Sequence, residues 1–539
     1  MNPPGVSAGD FAAAMAAFKE AVGEAHVFTS DEDVALYRDA YDVQWGLPGE
    51  RQASAGVAPT TVEQVQKVVA AANRYRIPIY PIATGMNLGY GGSAPNLSGS
   101  VVLDLKLLNR VIEVDDKRHF AILEPGVSYF DFYRHVQDRG LKVWIDCPDP
   151  GWGSPIGNAL DHGVGYTWYG YRDHFYSHCG MEIVLPNGEL MRTGMGALPE
   201  SKTWGEYHYG VGPYVDGLFS QGNFGVVTKM GFHLFPQPEA YRSGTVLVPR
   251  RQDLVALVDE MNYLEHSGII GQPNYGCPLR MVAGEPAVLP LLAKPGGPTD
   301  AEFEALASAH RLPCWSCEVQ LYGPAKGIEA NWEYVKARLA AAIPGASFED
   351  GLTYEFPITA EQRLKVPHKP SLGIPNLELF RSRSALNPNP SEGHVWFSPV
   401  IPKSGEAIFE AQRVFADAVR GVDIPTIFGR GPAYGPFSTP STWMFRAFVL
   451  ITGWPISRSN PDQNRRVSEA LRKLVQVGAE HGWGEYRTPP AFQDDVVKTY
   501  SYNNHALLRF QETLKDAVDP NGIISAGRYG IWPKHMRKS

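Results

Sequence analysis

A glycine-rich stretch near the N-terminus, ATGMNLGYGGSA over residues 83–94, has the residue types of a phosphate-binding loop. It contains Gly89-x-Gly91-x-x-Ala94, which is close to the dinucleotide-binding fingerprint. That fingerprint requires a helix directly after the loop, because the helix N-terminus faces the pyrophosphate. Here Pro95 and then a predicted strand follow, so the match to the fingerprint is accidental. Two alternatives remain: the backbone N–H groups of the loop cradle an anion, or the loop is a turn without a ligand.

Polar side chains and two further glycine-rich segments favour the anion-binding alternative. Thr84, Asn87 and Ser93 add hydrogen-bond donors to the loop, and glycine lets a backbone approach a ligand without side-chain collision. The other segments are CPDPGWGSPIGNALDHGVGYTWYG (147–170) and SQGNFGVVTK (220–229). Three such connections, separated by strands, indicate a backbone that lines one extended ligand, although ordinary barrels also use glycine-rich loops.

The five cysteines, an odd and sparse set, argue against a disulfide framework and fit a reducing compartment. Cys314 and Cys317 form a C-x-x-C pair, but no second pair stands at a spacing suited to zinc. A thioredoxin-like motif would open a helix, whereas CWSCEVQLYG has the pattern of a strand. We therefore predict that both cysteines are small buried residues of a strand and that the chain holds no metal.

The overall composition is typical of a globular protein with more than one domain. The chain has 539 residues, of which 44% are hydrophobic and 20% charged, and this length exceeds one ordinary core. The net charge of −8 opposes nucleic-acid binding, which requires concentrated positive charge. No run of about 18 apolar residues occurs, and the acidic N-terminal segment indicates an amphipathic surface helix rather than a signal peptide. We expect a cytoplasmic protein without a membrane or nucleic-acid partner.

The helices and strands that position the loops form an α+β pattern. Thr60 and Glu63 are predicted to form a capping box that starts a helix extending to about Tyr75. Strands are expected at 77–82, 100–105, 120–128 and 225–236, a helix at 129–140 and a hairpin around Asn187-Gly188. Beyond 236–244 helices alternate with strands, and 370–395 is a long Pro-, Asn- and Ser-rich loop. We predict an N-terminal domain, a middle α/β unit, and a tail that returns to the first domain.

Motifs along nearly the whole chain resemble those of the vanillyl-alcohol oxidase and 4-cresol dehydrogenase family, which includes eugenol oxidase and 4-alkylphenol oxidases. They stand in the family's order: GMNLGYGGSAP, LEPGVSYFDFY, DCPDPGWGSPIGNALDHGVGYTWYG, LPNGELMRTGMGAL, SQGNFGVVTKMG, GHVWFSPV, GWGEYRT and DPNGIISAGRYGIWP. The resemblance implies FAD as cofactor and a two-domain, PCMH-type FAD-binding fold of the α+β class with an α/β cap. The implied division places residues 1–243 and 488–539 in the FAD-binding domain and 244–487 in the cap.

The resemblance also implies a phenolate-binding trio of Tyr90, Tyr486 and Arg487. Removal of hydride from the benzylic carbon of a para-substituted phenol leaves a cation, which an ionised para-oxygen stabilises as a p-quinone methide. Arg487 would lower the pKa of the phenol, and the two tyrosine hydroxyls would hydrogen-bond the oxyanion. An isolated Tyr-Arg pair is more often a surface strand with a cation–π contact, so the assignment depends on the surrounding GWGEYRT.

Asp149 matches the acidic residue that the oxidases of the family place near flavin N5 and the reacting carbon. It would act as a base toward water that adds to the quinone methide, or toward a benzylic hydroxyl. Outside this context, an aspartate in a Pro/Gly loop is a turn residue. The 4-cresol dehydrogenase lacks an acid here, so Asp149 favours an oxidase. Tyr166 matches a further active-site tyrosine.

His394 matches the histidine that carries FAD covalently, through the flavin 8α-methyl, in the oxidases. A lone histidine in a loop is otherwise solvated or structural, and the flanking VWFSPV supports the match. The dehydrogenase uses an upstream tyrosine, where this chain has Phe380. Arg528 matches a basic residue near the flavin C2 carbonyl, where positive charge stabilises the reduced, anionic flavin.

The remaining cofactor contacts that the resemblance implies lie in the three glycine-rich segments. With His394 and Arg528, they are Thr84, Gly85, Met86, Asn87, Leu88, Gly89, Pro148, Gly153, Ser154, Gly157, Asn158, Gly165, Tyr166, Gly225 and Val227.

Two segments depart from the family pattern. YGYRDHF (169–175) carries extra residues relative to the family's YGDHW. The segment 428–448 lacks the family's His pair and has prolines, glycines and Trp443 instead. These changes are expected to alter the accepted para-substituent and to leave room for a larger or more methoxylated phenol.

The resemblance as a whole implies a homodimeric oxidase of para-substituted phenols that passes electrons to O₂ and forms hydrogen peroxide. The alternative within the family is a dehydrogenase that passes electrons to a cytochrome. Two other classes remain open: a sugar-alcohol or lactone oxidase on the same FAD scaffold, and a flavin-binding protein without catalysis.

Overall fold

The computed structural model describes residues 2–378, 393–422 and 434–537. Phe380, most of the 370–395 loop and residues 428–433 of the second departure lie outside the described residues. Within the described ranges, no helix is both long enough and apolar enough to cross a membrane.

The strands of the described residues are short and distributed along the chain. They are β1 (Val27–Phe28), β2 (Ala55–Val57), β3 (Ile79–Ile82), β4 (Val101–Asp104), β5 (Val111–Asp115), β6 (Phe120–Leu123), β7 (Val143–Trp144), β8 (His178–Val184), β9 (Leu190–Arg192), β10 (Val226–His233), β11 (Phe235–Pro236), β12 (Ala240–Val248), β13 (Asn274–Gly276), β14 (Trp315–Gly323), β15 (Ser347–Glu355), β16 (His394–Phe397), β17 (Val400–Pro402), β18 (Ala447–Val449) and β19 (Thr452–Pro455).

The α-helices occur between these strands and after them. They span Ala8–Val22, Asp31–Ala35, Val62–Tyr75, Tyr129–Asp138, Pro155–Leu160, Tyr169–Arg172, Asp253–His266, Leu289–Ala293, Asp300–His310, Ala325–Ala342, Ala360–Lys365, Gly405–Ala418, Pro461–Glu480, Gln493–Thr499 and Tyr502–Val518. The predicted α+β class is confirmed.

The first sheet has the order β1-β2-β4-β3, with parallel pairing of β4 to both β2 and β3. All four residues of β4 are buried, as expected of a parallel strand covered on both faces. The helices Ala8–Val22 and Val62–Tyr75 contribute to the same core. The chain's tail joins this sheet, because the Ile79 N–H donates to the Ile523 carbonyl at 2.7 Å and Ile524 bridges Ile79 in parallel.

The start of the Val62–Tyr75 helix differs from the predicted capping box. The N-cap is Thr61, whose hydroxyl accepts a hydrogen bond from the Gln64 N–H at 3.2 Å. The Gln64 side chain reaches back to the Thr60 N–H at 2.7 Å. The prediction of Thr60 and Glu63 was wrong by one residue, because either threonine fits the sequence pattern and the backbone turn selects the second.

A second, antiparallel sheet has the order β5-β6-β10-β8-β9. β8 and β9 form the hairpin predicted around Asn187-Gly188. The predicted helix over 129–140 spans Tyr129–Asp138 and packs Phe132 and Val136 into the core beneath this sheet.

A third sheet has the order β13-β14-β12-β15 and is antiparallel. The helices Asp253–His266 and Ala325–Ala342 pack into its core. Cys317 lies within β14 and Cys314 directly precedes it, and both are buried free thiols, as predicted. The predicted domain boundary at 243 falls inside β12, and the division of the chain into domains stays a prediction.

Candidate active site

A cavity of about 540 Å³ lies where the glycine-rich loops meet segments from the second half of the chain. Its wall comes from ten parts of the chain: 80–92, Leu105, Pro125, 148–166, 219–227, 274–280, Trp396, 438–452, 486–487 and 525–528. No helix follows the 83–94 loop directly, which agrees with the rejection of the dinucleotide fingerprint.

Most of the predicted site residues line this one cavity. On the wall are Tyr90, Asp149, Tyr166, Tyr486 and Arg487, together with Thr84, Gly85, Met86, Asn87, Leu88, Pro148, Gly153, Ser154, Gly157, Asn158, Gly225, Val227 and Arg528. Gly89, Gly165 and His394 are the predicted residues that are not part of this wall.

Tyr90, Tyr486 and Arg487 converge although two of them follow the first by about four hundred residues. The Arg487 guanidinium carbon lies 4.3 Å from the centroid of the Tyr90 ring. The Tyr90 and Tyr486 rings meet edge to face, with centroids 6.5 Å apart. The Tyr90 hydroxyl shares a hydrogen bond with the Ser398 hydroxyl. Burial raises the pKa of both tyrosines, so each stays protonated and can donate to an anionic oxygen.

Asp161 is the central anion of the site, and the sequence analysis did not identify it. Its carboxylate accepts from Arg487 Nε at 2.9 Å, from an Arg528 terminal nitrogen at 2.8 Å and from the Tyr529 hydroxyl at 2.8 Å. The Asn87 amide nitrogen also donates to it at 2.6 Å, while the Asn87 oxygen accepts from Arg487. The glycine loop and both predicted arginines are therefore fixed by one buried carboxylate.

The charges around Asp161 explain its ionisation. Burial alone would raise the pKa of Asp161, but the charges of Arg487 and Arg528 outweigh burial and hold it below its ordinary value. Burial opposes the charged form of Arg487 as well, and Asp161 more than compensates, so the pKa of Arg487 is raised. Two cations and one anion leave this cluster with a net positive charge beside the two tyrosine hydroxyls.

No local signal in the sequence singled out Asp161. Its arginine partners are 326 and 367 residues away, and its own neighbourhood, GNALDHG, has the composition of a turn. Asp161 is the residue at which the short helix Pro155–Leu160 ends. The hint available in the sequence is that two arginines in one buried site require an acidic residue nearby to balance their charge.

Asp149 and Tyr166 form a second polar pair on the cavity wall. The Tyr166 hydroxyl donates to the Asp149 carboxylate. The Tyr166 ring meets His368 edge to face, with centroids 4.8 Å apart, and Trp443 at 6.3 Å. Trp443, part of the second departure from the family pattern, also lines the cavity. This pair can hold or accept a proton next to a bound substrate.

The three predicted residues outside the wall lie directly behind it. A Cβ atom at Gly89 would stand 2.5 Å from the Trp396 indole, so this glycine makes room for a side chain that does line the cavity. A Cβ at Gly165 would overlap the Asp146 carboxylate. His394 is buried in β16, with its ring edge-on to Trp396 at 4.5 Å and to Tyr41 at 4.9 Å.

The cavity wall has the donor set that FAD requires. Thr84, Asn87 and Ser154 provide polar side chains, and Arg528 provides a cation, held by the Tyr80 hydroxyl at 2.9 Å. At Gly153 a Cβ would meet only the Pro150 carbonyl oxygen, at 3.4 Å, so a side chain there would project into the cavity. These features suit a flat, anionic dinucleotide that approaches a glycine backbone closely.

Glu485, next to the trio, carries a pH-dependent charge. Burial raises its pKa to about 8, far above the value of a carboxyl group in an unfolded chain. The folded protein therefore binds a proton at Glu485 that the unfolded chain has released, from about pH 4.5 up to about pH 8. Stability from this proton is complete below the unfolded pKa and is lost as pH rises through the folded pKa.

The Glu485→Gln variant is expected to lose this dependence, because the amide stays neutral at every pH. Its free energy of unfolding relative to wild type should rise by about 2 kcal/mol or more between pH 5 and pH 8.5. Urea unfolding of both proteins at the two pH values measures the change, with the exposed Glu480→Gln as the control. Parallel pH curves for wild type and Glu485→Gln would contradict an elevated pKa.

Comparisons with known proteins agree with this geometry. Residues 53–194 match the family described as FAD binding domain. The flavoprotein subunit of 4-cresol dehydrogenase (hydroxylating) from Pseudomonas putida is 32% identical over 543 residues, covering 98% of this chain and 97% of that protein.

Two solved structures are similar over the whole length. A 4-ethylphenol oxidase from Gulosibacter chungangensis, in complex with isoeugenol, is 33% identical with a TM-score of 0.82 and full coverage of both chains. A substrate-bound p-cresol methylhydroxylase is 29% identical with a TM-score of 0.80, covering 98% of this chain and 99% of that one.

The predicted PCMH-type FAD-binding fold and the predicted FAD cofactor are therefore confirmed. The chain is about one-third identical to these flavoproteins along nearly its whole length. The motif residues also line one cavity, which agrees with this similarity. The chain belongs to the vanillyl-alcohol oxidase and 4-cresol dehydrogenase family of FAD-linked oxidoreductases.

Proposed function

We propose that the protein oxidises para-substituted phenols, namely 4-alkylphenols and 4-hydroxybenzylic alcohols, and that it binds them as phenolates. The observation that carries this proposal is the convergence of Tyr90, Tyr486 and Arg487 on one cavity. The names of the relatives support the substrate class, because they act on 4-cresol, p-cresol or 4-ethylphenol. A sugar-alcohol or lactone oxidase would have no use for a phenolate site.

The trio supplies binding and charge stabilisation. Arg487 attracts the ionised para-oxygen, and the two protonated tyrosine hydroxyls donate hydrogen bonds to it. Asp161 fixes the Arg487 guanidinium at 2.9 Å, and Arg528 shares the same carboxylate. Because Asp161 neutralises only one of the two cations, the site keeps a net positive charge for the phenolate.

Hydride loss from Cα of the phenolate would leave a benzylic cation, which the anionic para-oxygen neutralises, so that the product is an uncharged p-quinone methide. Bound FAD would supply the hydride acceptor. Asp149 then takes a proton, either from a water that adds to Cα or from a benzylic hydroxyl. The Tyr166 hydroxyl, which donates to Asp149, orients this carboxylate.

Oxygen as the electron acceptor is part of the proposal. Asp149, absent from the dehydrogenase pattern, favours an oxidase, whereas the Pseudomonas putida relative is a dehydrogenase subunit and supports the cytochrome-linked alternative. Peroxide yield per turnover in air separates the two: one peroxide per phenol supports the oxidase. Turnover that requires an added electron acceptor would establish the dehydrogenase.

Anaerobic mixing tests the substrate class directly. We expect 4-ethylphenol and vanillyl alcohol to bleach the flavin absorbance, and a sugar to leave it unchanged. Bleaching by the sugar alone would refute the proposed function. No bleaching by any of the three, with FAD present at full content, would indicate a flavin-binding protein without catalysis.

Covalent attachment of FAD to His394 is a further part of the proposal. His394 is buried and lies behind the wall residue Trp396 and the loop glycine Gly89. We expect acid-precipitated wild type to keep the yellow colour in the pellet, and His394→Ala to release FAD into the supernatant. The exposed His481→Ala should behave as wild type. Release of FAD by wild type itself would show that no covalent link forms.

A further inference from the structure

The two departures from the family pattern meet in the folded protein. Arg172, from the extended YGYRDHF segment, is buried and paired with the carboxylate of Glu265. The same carboxylate is paired with buried Lys403. We call Arg172, Glu265 and Lys403 the Arg172 cluster. It joins the segment after Tyr166, the helix Asp253–His266 and the residue that follows β17.

The Arg172 cluster holds the second departure by its backbone. Arg172 Nε donates to the Trp443 carbonyl at 2.8 Å, and Lys403 Nζ donates to the Phe445 carbonyl at 2.9 Å. One carboxylate neutralises only one of the two cations. The two backbone carbonyls accept further hydrogen bonds from these cations and so stabilise the remaining positive charge. Loss of Glu265 would leave two buried cations without their shared anion, whereas loss of Arg172 would remove the side-chain hydrogen bond to the Trp443 carbonyl.

The segment that is held this way forms one wall of the cavity. Besides Trp443, polar residues of this segment and two residues of the 274–280 stretch line the cavity. We call them the polar wall: Asn274, Arg280, Ser438, Thr439, Ser441 and Thr442. The Thr442 hydroxyl contacts the Asn274 amide oxygen at 3.5 Å. Arg280 also lines the cavity, where burial lowers the pKa of its guanidinium.

The chemistry of the polar wall differs from that of an alkyl pocket. Hydroxyl, amide and guanidinium groups lose hydrogen bonds to water when an apolar substituent covers them, and this costs free energy. A substituent that carries oxygen restores those hydrogen bonds. Such a wall would discriminate between substituents with the same carbon chain by their oxygen content.

We propose that the polar wall is a second binding subsite, which takes oxygen atoms on the para-substituent beyond Cα, and that Arg172 is the positioning residue of this subsite. The inference rests on the proposed function, since the phenol end must lie at the trio. The shared chemistry is a hydrogen-bond-accepting oxygen, neutral in an alcohol or ether and anionic in a carboxylate.

Three phenols that share a three-carbon para-chain test the subsite in the holoenzyme. They are 4-propylphenol, 4-(3-hydroxypropyl)phenol and 3-(4-hydroxyphenyl)propanoate. We expect KM for at least one oxygen-bearing compound to be about tenfold below that of 4-propylphenol, with similar kcat. A 4-propylphenol KM equal to or below both others overturns the subsite. If none of the three bleaches the flavin, the proposed function itself fails.

Variants of the polar wall distinguish recognition of a carboxylate oxygen from recognition of an alcohol oxygen. Arg280→Met should raise KM for the propanoate toward that of 4-propylphenol, whereas Thr442→Val should do so for the alcohol. The readout is the KM ratio of each compound to 4-propylphenol in the same variant. If neither substitution changes these KM ratios, the polar wall is not the subsite that binds oxygen.

Arg172 variants test the positioning role. Arg172→Met should erase the advantage of the oxygen-bearing compounds, while 4-ethylphenol, which has no oxygen on its para-substituent, loses less. Arg172→Lys should restore part of the advantage, because a cation again faces Glu265. An equal loss for 4-ethylphenol and the oxygen-bearing phenols overturns the positioning role. If Arg172→Met does not fold, the comparison of Arg172→Lys with wild type decides the point.

Discussion

The Arg487→Met variant is expected to lose at least about a thousandfold in kcat/KM for 4-ethylphenol, because one side chain provides both the charge and the geometry of phenolate binding. The guanidinium lies 4.3 Å from the Tyr90 ring, and its loss removes the cation that favours the ionised phenol. Both substrate binding and the observed hydride-transfer rate should fall, because without the cation a smaller fraction of the bound phenol is ionised, and the phenolate is the form that loses hydride readily. Anaerobic stopped-flow reduction of the flavin measures the two separately.

Matched variants identify the origin of the loss. Tyr90→Phe and Tyr486→Phe each remove one hydroxyl, and each should cost about ten- to a hundredfold. Arg487→Lys keeps the charge but loses the planar fork, and should fall between these variants and Arg487→Met. FAD content must be equal in all four proteins. A rate of flavin reduction by Arg487→Met within tenfold of wild type would exclude the phenolate mechanism.

The Asp161→Asn variant is expected to be destabilised by about 3–5 kcal/mol, because it leaves two cations in the site without their shared anion. Asp161 pairs with Arg487 and Arg528 at 2.9 and 2.8 Å, and its own pKa is held below the ordinary value. The stabilisation from a depressed carboxyl pKa is present above the unfolded pKa and is lost as pH falls through the folded pKa. Urea unfolding at pH 7 and at pH 3.5 should therefore show a smaller difference between variant and wild type at the lower pH.

Two comparisons test the coupling. The exposed Asp138→Asn should change stability by less than about 0.5 kcal/mol. The double variant Asp161→Asn with Arg487→Met should be less destabilised than the sum of the single changes, because both members of one ion pair are removed together. Additive effects would show that the two residues act independently, against the geometry of the network.

Local patterns in the sequence were sufficient to predict many of the helices and strands and the absence of a helix directly after the glycine-rich loop 83–94. The valine spacing of Val62–Tyr75, the strand character after Cys314 and the missing helix after residues 83–94 depend on neighbours within a few turns. Such features are set by backbone propensity and by periodicity, which a single sequence displays. The capping box failed by one residue, because the N-cap is chosen by backbone geometry.

The trio could be predicted only through family motifs. Composition and spacing alone gave no reason to join Tyr90 to Tyr486 and Arg487, because nothing in a linear pattern reports a contact over such a separation. The motif resemblance supplied the pairing, and the cavity wall contains all three residues. The motif resemblance also named Gly89, Gly165 and His394, which lie behind the cavity wall rather than on it.

By itself, the sequence determined the fold class and the glycine loop without a helix, and its resemblance to family motifs named the three residues that line the cavity together, Tyr90, Tyr486 and Arg487. Only the tertiary structure decided what holds them: Asp161 between two arginines, Ser398 on Tyr90, and the Arg172 cluster that ties the two departures together. The physical reason is that these interactions depend on burial and on charges brought together from distant segments. The same local sequence could place an aspartate in a solvated turn or between two buried guanidinium groups. The pKa of the carboxyl group differs between these two environments, and only the folded structure shows which one is present.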